Sequence, residues 1–148
     1  MMRIPLDFVG DSIVLQGFLR AESYRIPYKK VMFVVDTGSP KTFISERDAL
    51  AFQLPFSALS FKQFIRLGGS KYELLGGKHA EVYFRDDDGK PFKFDYDLTV
   101  ARTTKKTQDG IAESRSCPSI LGTDFLIQHR LGLVFRPAKA EYYLEMDD

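Results

Sequence analysis

Cysteine is almost absent from this sequence of 148 residues, since Cys117 is the only one. A single cysteine excludes a disulfide within the chain, and it favours a reducing compartment such as the cytoplasm. No local motif of a thiol enzyme surrounds Cys117, so we interpret it as a small structural residue before Pro118. We therefore expect a cytoplasmic protein that is stabilised by its core and not by cross-links.

An excess of charge of either sign is also missing. The chain has 21 lysines and arginines against 20 aspartates and glutamates, which gives a formal net charge of +1. Nothing in this balance favours nucleic acid or an anionic membrane as a partner. No apolar run approaches the about 20 residues that span a bilayer, and the N-terminus lacks the apolar stretch of a signal peptide. We expect neither nucleic-acid binding nor membrane association.

Metal-binding patterns are missing as well. The two histidines, His79 and His129, are isolated in the sequence, and the acidic run at residues 86–88 lacks the spacing of a calcium loop. Tryptophan is absent, so 13 phenylalanines and 7 tyrosines supply the aromatic content. We therefore expect no bound metal.

Short strands dominate what the sequence does contain. Apolar and polar residues alternate sharply through residues 92–100, after a tight turn at residues 86–89. Further strands are predicted at residues 4–9, 13–19, 31–35, 42–44, 61–67, 79–85, 131–135 and 142–144. With no linker and no internal repeat, residues 1–148 are predicted to form a single all-β domain.

Helices are predicted at only two places. Ser45 begins a capping pattern that favours a short helix after it, and a second short helix is predicted at residues 123–129. Residues 102–116 are polar and aperiodic, which predicts a surface loop.

One apolar run, at residues 31–35, leads directly into Asp36, Thr37, Gly38 and Ser39. Valine and phenylalanine favour a strand that is buried on both faces. Gly38 is expected to end this strand, because glycine turns freely through positive φ. Asp36 would then lie at the end of a rigid strand, where an ordered carboxylate suits acid–base chemistry. The alternative is an ordinary turn, since aspartate and glycine commonly end strands.

A second segment, at residues 119–126, favours the acid–base interpretation. It reads Ser-Ile-Leu-Gly-Thr-Asp-Phe-Leu. Together with the Asp-Thr-Gly-Ser segment it resembles the retropepsin-like aspartic proteases, the single-lobed members of the pepsin superfamily, in which the same two motifs occur in this order. The resemblance covers residues 12–136. It implies a closed acid-protease barrel with one or two short helices, which forms half of a two-fold symmetric dimer.

The resemblance also implies a reaction. Two carboxylates at hydrogen-bonding distance would hold one water molecule and share one proton. The sequence contains a single Asp-Thr-Gly, so the second carboxylate must come from a second copy of the chain. The expected function is a homodimeric aspartic endopeptidase that hydrolyses extended, partly apolar polypeptide segments without a cofactor. The alternatives are a catalytically silent peptide-binding or structural module on the same fold, and a monomeric acid-protease-like domain within a larger complex.

Roles for the residues of both motifs follow from the resemblance. Asp36 would be the catalytic acid and base, Thr37 would hydrogen-bond across the dimer axis, and Gly38 would let the substrate backbone approach. Ser39 would hydrogen-bond the outer oxygen of Asp36, and Gly122 would pack beneath the loop.

Substrate contacts are implied for the residues that precede Gly122. Pro118, Ser119 and Ile120 would line substrate pockets. The alternative for Ile120 is an ordinary core position.

A lid over the substrate is implied for the glycine-bounded hairpin at residues 68–77. Gly68, Gly69 and Tyr72 would contact the peptide, and closure would exclude water. The alternative for Tyr72 is packing on its own sheet.

Two features leave details of this expectation open. Pro40 follows Ser39 and has no N–H, so a contact to the substrate main chain is lost relative to many family members. Residues 141–145 are a candidate strand of the dimer interface, and the alternative is an edge strand within their own chain.

Overall fold

β-Strands make up most of the computed structural model, which describes residues 2–147. The strands are β1 (Arg3–Pro5), β2 (Asp7–Val9), β3 (Ser12–Ala21), β4 (Ile26–Val35), β5 (Ile44–Ser45), β6 (Ser60–Leu67), β7 (Ser70–Arg85), β8 (Pro91–Thr103), β9 (Ser119–Leu121), β10 (Leu131–Arg136) and β11 (Glu141–Met146). The α-helices are α1 (Glu46–Ala51), α2 (Gln108–Ser116) and α3 (Thr123–Gln128), and single 3₁₀ turns lie at Glu22–Tyr24, Phe56–Ala58 and Pro137–Lys139. The predicted all-β class is confirmed.

The strands form two open sheets. The larger sheet has the order β5-β8-β7-β3-β4-β9, with β2 added to β3 and β6 added to β7. Between its two ends, β5 and β9, the only backbone pairing within residues 2–147 is an isolated bridge between Phe43 and Ile120. A closed barrel requires a continuous ladder between the end strands. The predicted closed barrel is therefore wrong, because the end strands have only two and three residues.

The core follows the predicted alternation of β8. Phe94, Tyr96, Leu98 and Val100 are buried, and the two aspartates between them face outwards. These side chains belong to one large apolar cluster with residues of β3, β4, β7 and α3. Burial raises the pKa of Tyr96, whose hydroxyl donates to the carbonyl oxygen of Thr99 at 3.0 Å. The buried side chains of β8, which the alternation in the sequence predicts, thus help to hold the large sheet together.

The predicted surface loop at residues 102–116 contains a helix instead. α2 begins at an N-cap, Thr107, whose hydroxyl accepts the N–H of Gly110 at 3.1 Å. Its buried Ser114 donates to the Glu46 carboxylate at 2.6 Å. The helix faces the fold with polar atoms, so no apolar stripe in the sequence indicates it.

None of the helices in residues 2–147 combines the length and the apolar character that crossing a membrane requires.

The smaller sheet contains the C-terminal segment. Its order is β1-β11-β10, with both pairings antiparallel. Residues 141–145 therefore pair within their own chain, as one interpretation proposed. They form the central strand and not an edge, because β1 and β10 occupy both sides of β11.

Candidate active site

Asp36 lies at the end of β4, which is held in place from the side. The prediction that residues 31–35 are buried on both faces is wrong, because Met32 is 42% exposed and Val34 is half-buried. β4 runs parallel to β9, with Phe33 opposite Ser119 and Val35 opposite Leu121. The N–H of Asp36 donates to the carbonyl oxygen of Leu121 at 3.0 Å, which extends this ladder into the loop. The Asp36 side chain is exposed, while Phe33 and Val35 are buried. The two motifs of the sequence therefore meet and present one accessible carboxylate on a rigid support.

The loop that follows Asp36 folds back on the carboxylate. The N–H of Gly38 donates to Oδ1 of Asp36 at 2.8 Å, and the N–H of Ser39 donates to its carbonyl oxygen at 3.1 Å. Gly38 does not have the positive φ that the sequence suggested. Glycine is instead favoured by close approach, because a Cβ at this position would lie 3.1 Å from Oδ1 of Asp36.

Gly122 packs against this loop, as predicted. A Cβ on Gly122 would lie 2.4 Å from the carbonyl oxygen of Lys41 and 2.6 Å from that of Ser39. The next residue, Thr123, donates its N–H to the Ser39 carbonyl at 2.9 Å. The start of α3 and the loop after Asp36 are therefore in direct backbone contact.

A partly buried pair, Thr42 and Asp124, links the two motifs and was not identified from the sequence. The Thr42 hydroxyl donates to Oδ1 of Asp124 at 2.6 Å and accepts the N–H of Gly122 at 2.8 Å. Asp124 was part of the second motif, but nothing near Thr42 in the sequence indicates a partner 82 positions away. The pair fixes the distance between the Asp36 loop and α3.

The hydroxyls of Thr37 and Ser39 differ in their surroundings. Ser39 is buried, and its hydroxyl donates to the carbonyl oxygen of Lys41 at 2.7 Å, not to Asp36 as predicted. One hydroxyl has one proton, so this bond replaces the expected one. Thr37 is exposed, and its hydroxyl has no hydrogen-bond partner within residues 2–147.

The hairpin expected to form a lid is longer than residues 68–77. β6 pairs with β7 from Ser60 opposite Gly76 to Leu67 opposite Ser70, and we call residues 60–76 the lid hairpin. Its turn is at Gly68 and Gly69, which have φ values of 57° and 83° and open space around them. The second glycine pair of the prediction lies inside β7 and belongs to no turn.

Tyr72 faces inwards from the lid hairpin. Its side chain is 3% exposed and packs with Phe43, Leu74, Ala101 and Ile120. Burial raises the pKa of its phenol. This position favours the interpretation that Tyr72 packs on its own sheet, and a substrate contact would require the hairpin to move.

The residues before Gly122 are also largely inside the chain. Ser119 is fully buried, and its hydroxyl donates to Asp48 at 2.6 Å and accepts the N–H of Ser45 at 2.9 Å. Ile120 is buried with Tyr72, and Pro118 is half-buried. Ser119 and Ile120 thus have structural partners, and their expected role in substrate pockets stays a prediction.

Cys117 is expected to react slowly with thiol reagents. It is half-buried, and desolvation raises the pKa of its thiol, which lowers the fraction of reactive thiolate. At pH 8 we expect a rate about tenfold below that of the same thiol in urea, measured with a chromogenic disulfide. A native rate equal to or above the unfolded rate would contradict the structural interpretation of Cys117.

The fold is similar to that of a solved aspartic protease. The crystal structure of a retropepsin-like aspartic protease from Rickettsia conorii matches with a TM-score of 0.55 and 14% sequence identity, over 97% of this chain and 96% of that chain. No protein-family model and no curated protein matches the sequence. The architecture is thus that of a retropepsin-like protease, and the likeness at this identity concerns the fold alone.

Proposed function

We propose that this chain is an aspartic endopeptidase that acts as a homodimer. The observation that supports it most strongly is the geometry of Asp36. Its exposed carboxylate is held by the Gly38 N–H, and its backbone is fixed to Leu121 in the second motif. An ordinary turn does not need this support from a segment more than 80 positions away. A preorganised carboxylate in this setting suits general acid–base chemistry.

Peptide hydrolysis in this proposal uses two Asp36 carboxylates with one proton between them. The ionised carboxylate accepts a proton from a water molecule, whose oxygen attacks the peptide carbonyl carbon. The protonated carboxyl gives its proton to the carbonyl oxygen, which leaves a neutral diol. The carboxyl that took the water proton then protonates the amide nitrogen, the other carboxylate accepts a proton from a diol hydroxyl, and the C–N bond breaks to release the amine and the carboxylic acid. One chain offers one such carboxylate, so two copies must meet on a two-fold axis. The exposed Thr37 hydroxyl, without a partner in the described part of the chain, is available to the loop of the second copy.

The proposed substrate is an extended, partly apolar polypeptide segment. Among the described residues, the outer strand of the lid hairpin, β6, pairs only with β7, so its other edge has free backbone groups. An extended peptide can hydrogen-bond to such an edge as an added strand. Exposed Phe61 and Phe64 lie on the same strand, with ring centroids 4.8 Å apart, and they offer apolar contact.

A second candidate function is a peptide-binding module without catalysis. It is favoured by Pro40, which lies exposed beside the Asp36 loop and offers no N–H to a peptide. It is also favoured by Ser39, whose hydroxyl does not hold the Asp36 carboxylate. Both candidates use the Asp36 loop and the lid hairpin, so only a catalytic measurement separates them.

A subunit-mixing experiment tests the shared site. Wild-type chains are mixed with Asp36→Asn chains under conditions where subunits exchange, and hydrolysis of a peptide library is measured. Mixed dimers have one carboxyl group and should be inactive. Random pairing then predicts that activity per wild-type chain falls to about one half in an equal mixture and about one tenth at ninefold excess.

The control uses wild-type chains diluted with an Asp7→Asn variant, which changes an exposed aspartate on β2. Activity per active chain should stay constant in that mixture. If it also stays constant with Asp36→Asn, despite exchange shown by mass-labelled subunits, each chain works alone and the paired-carboxylate mechanism is wrong.

A further inference from the structure

The tip of the lid hairpin carries a partly buried polar contact. Ser70, the first residue after the Gly68–Gly69 turn, is 7% exposed. Its hydroxyl donates to Oε1 of Glu113 at 2.9 Å and accepts from Nζ of Lys105 at 3.1 Å. Nζ of Lys105 also lies 3.8 Å from Oε2 of Glu113. The three side chains therefore form a closed triangle in which the serine uses its donor and one acceptor site.

Both partners of Ser70 belong to the segment between β8 and β9. Glu113 lies on α2, and Lys105 lies just before this helix. Lys71, which follows Ser70, is also held by the segment between β8 and β9. The N–H and the hydroxyl of Thr104, the first residue of this segment, donate to the Lys71 carbonyl oxygen at 3.3 and 3.0 Å. The tip is thus attached to α2 through side chains and to the end of β8 through the backbone.

Within residues 2–147 the opposite side of the hairpin has no comparable polar attachment, and only Ile65 and Leu67 of β6 pack against the apolar cluster around Tyr72. β6 pairs with β7 alone, and most of its side chains are exposed. The turn glycines have no neighbour within 4 Å of where a Cβ would be. Hairpin segments with exposed backbone and few buried contacts open at low free-energy cost. The polar contacts that fix the tip are therefore those of Ser70 and Lys71 on the β7 side.

We propose that Ser70, Lys105 and Glu113 form a latch that fixes the tip of the lid hairpin to α2, and that these three are positioning residues for substrate binding. The latch itself follows from the contacts, and its kinetic role rests on the proposed peptidase function. A hairpin that is already ordered does not lose that conformational freedom when a peptide binds beneath it. Loss of the latch should therefore weaken substrate binding more than it slows the chemical step.

Hydrogen exchange tests the latch independently of any activity. In Ser70→Ala we expect the amides of residues 66–72 to exchange about tenfold faster, because hydrogen bonds to charged groups are lost. Glu113→Ala removes one partner from the exposed side of the triangle and should give a smaller increase of about threefold. The double variant should exchange no faster than Ser70→Ala, because both changes disrupt one network. Amides of β3 and β4 should be unchanged in all three.

The matched control is Glu81→Ala, which removes an ion pair with Lys93, at 3.0 Å, elsewhere on β7. It should leave exchange at residues 66–72 unchanged. The latch is overturned if Ser70→Ala and Glu113→Ala do not change exchange at the tip, or if Glu81→Ala changes it equally. Because Glu113 is half-exposed, its variant keeps the test decisive even if Ser70→Ala fails to fold.

Steady-state kinetics tests the positioning role. For the latch variants we expect KM for a peptide substrate to rise about three- to tenfold, with kcat within about twofold of wild type. A fall in kcat at constant KM would overturn the positioning role. If the wild-type protein hydrolyses no peptide, the proposed function fails, and the exchange measurement alone then decides the latch.

Discussion

Asp36→Asn is expected to reduce peptide hydrolysis by about a thousandfold or more, since general acid–base catalysis by one group contributes about 10²–10⁴. Asparagine has the same shape as aspartate and can still accept the Gly38 N–H through Oδ1. The fold should therefore survive. Stability should be unchanged or slightly higher, because two neighbouring carboxylates in the dimer no longer repel each other.

The measurement is the initial rate on a peptide library, with the urea midpoint determined on the same preparation. Asp7→Asn is the matched control, because it makes the same chemical change at an exposed site on β2. If Asp36→Asn, free of contaminating protease, keeps more than about 1% of the wild-type rate, the proposed mechanism is wrong. An equal loss of activity in the control would contradict it as well.

Gly122→Ala is expected to lower the free energy of unfolding by about 3 kcal/mol, as overpacking of a tight site does. The added Cβ would lie 2.4 and 2.6 Å from two backbone carbonyl oxygens, those of Lys41 and Ser39. Backbone atoms cannot rotate away as a flexible side chain can. The loop after Asp36 must shift, so peptidase activity should fall together with stability.

Gly132→Ala is the matched control for this prediction. Gly132 lies in β10, and an added Cβ there would meet its nearest neighbours at 3.9 Å, an ordinary contact distance. Its effect on urea unfolding should stay within about 0.5 kcal/mol. If the two variants lose equal stability, the cost reflects alanine in place of glycine in general, and the contact beneath the Asp36 loop is not the cause.

Local patterns in the sequence were sufficient for the elements whose stability depends on near neighbours. The alternation in β8 predicted which of its side chains are buried. The capping pattern predicted α1, where the Ser45 hydroxyl accepts the N–H of Asp48 at 3.2 Å. The apolar run before Asp36 predicted a strand that ends at an exposed carboxylate, although only one face of that strand is buried. In each case the alternation of apolar residues or the capping side chain stabilises the element directly, so the local sequence is sufficient to predict it.

The hydrogen-bond partners of serine and threonine hydroxyls could not be predicted from the sequence. A serine or threonine hydroxyl bonds whichever acceptor the fold brings to it, so its partner depends on distant segments. Ser39 bonds the Lys41 carbonyl, Thr42 bonds Asp124, and Ser70 bonds Glu113. The last two pairs are separated by 82 and 43 positions.

Helix α2 and the shape of the large sheet were likewise decided by tertiary structure. α2 is polar, and it is held by Ser114 on Glu46 and by Glu113 on Ser70 rather than by an apolar stripe. Whether the sheet closes depends on the lengths of β5 and β9, which no periodic pattern records. The sequence by itself determined the all-β class and placed Asp36 at a strand end. Only the tertiary structure decided what holds the loop around that carboxylate, because the contacts to Leu121, Gly122 and Thr123 join segments that are far apart along the chain.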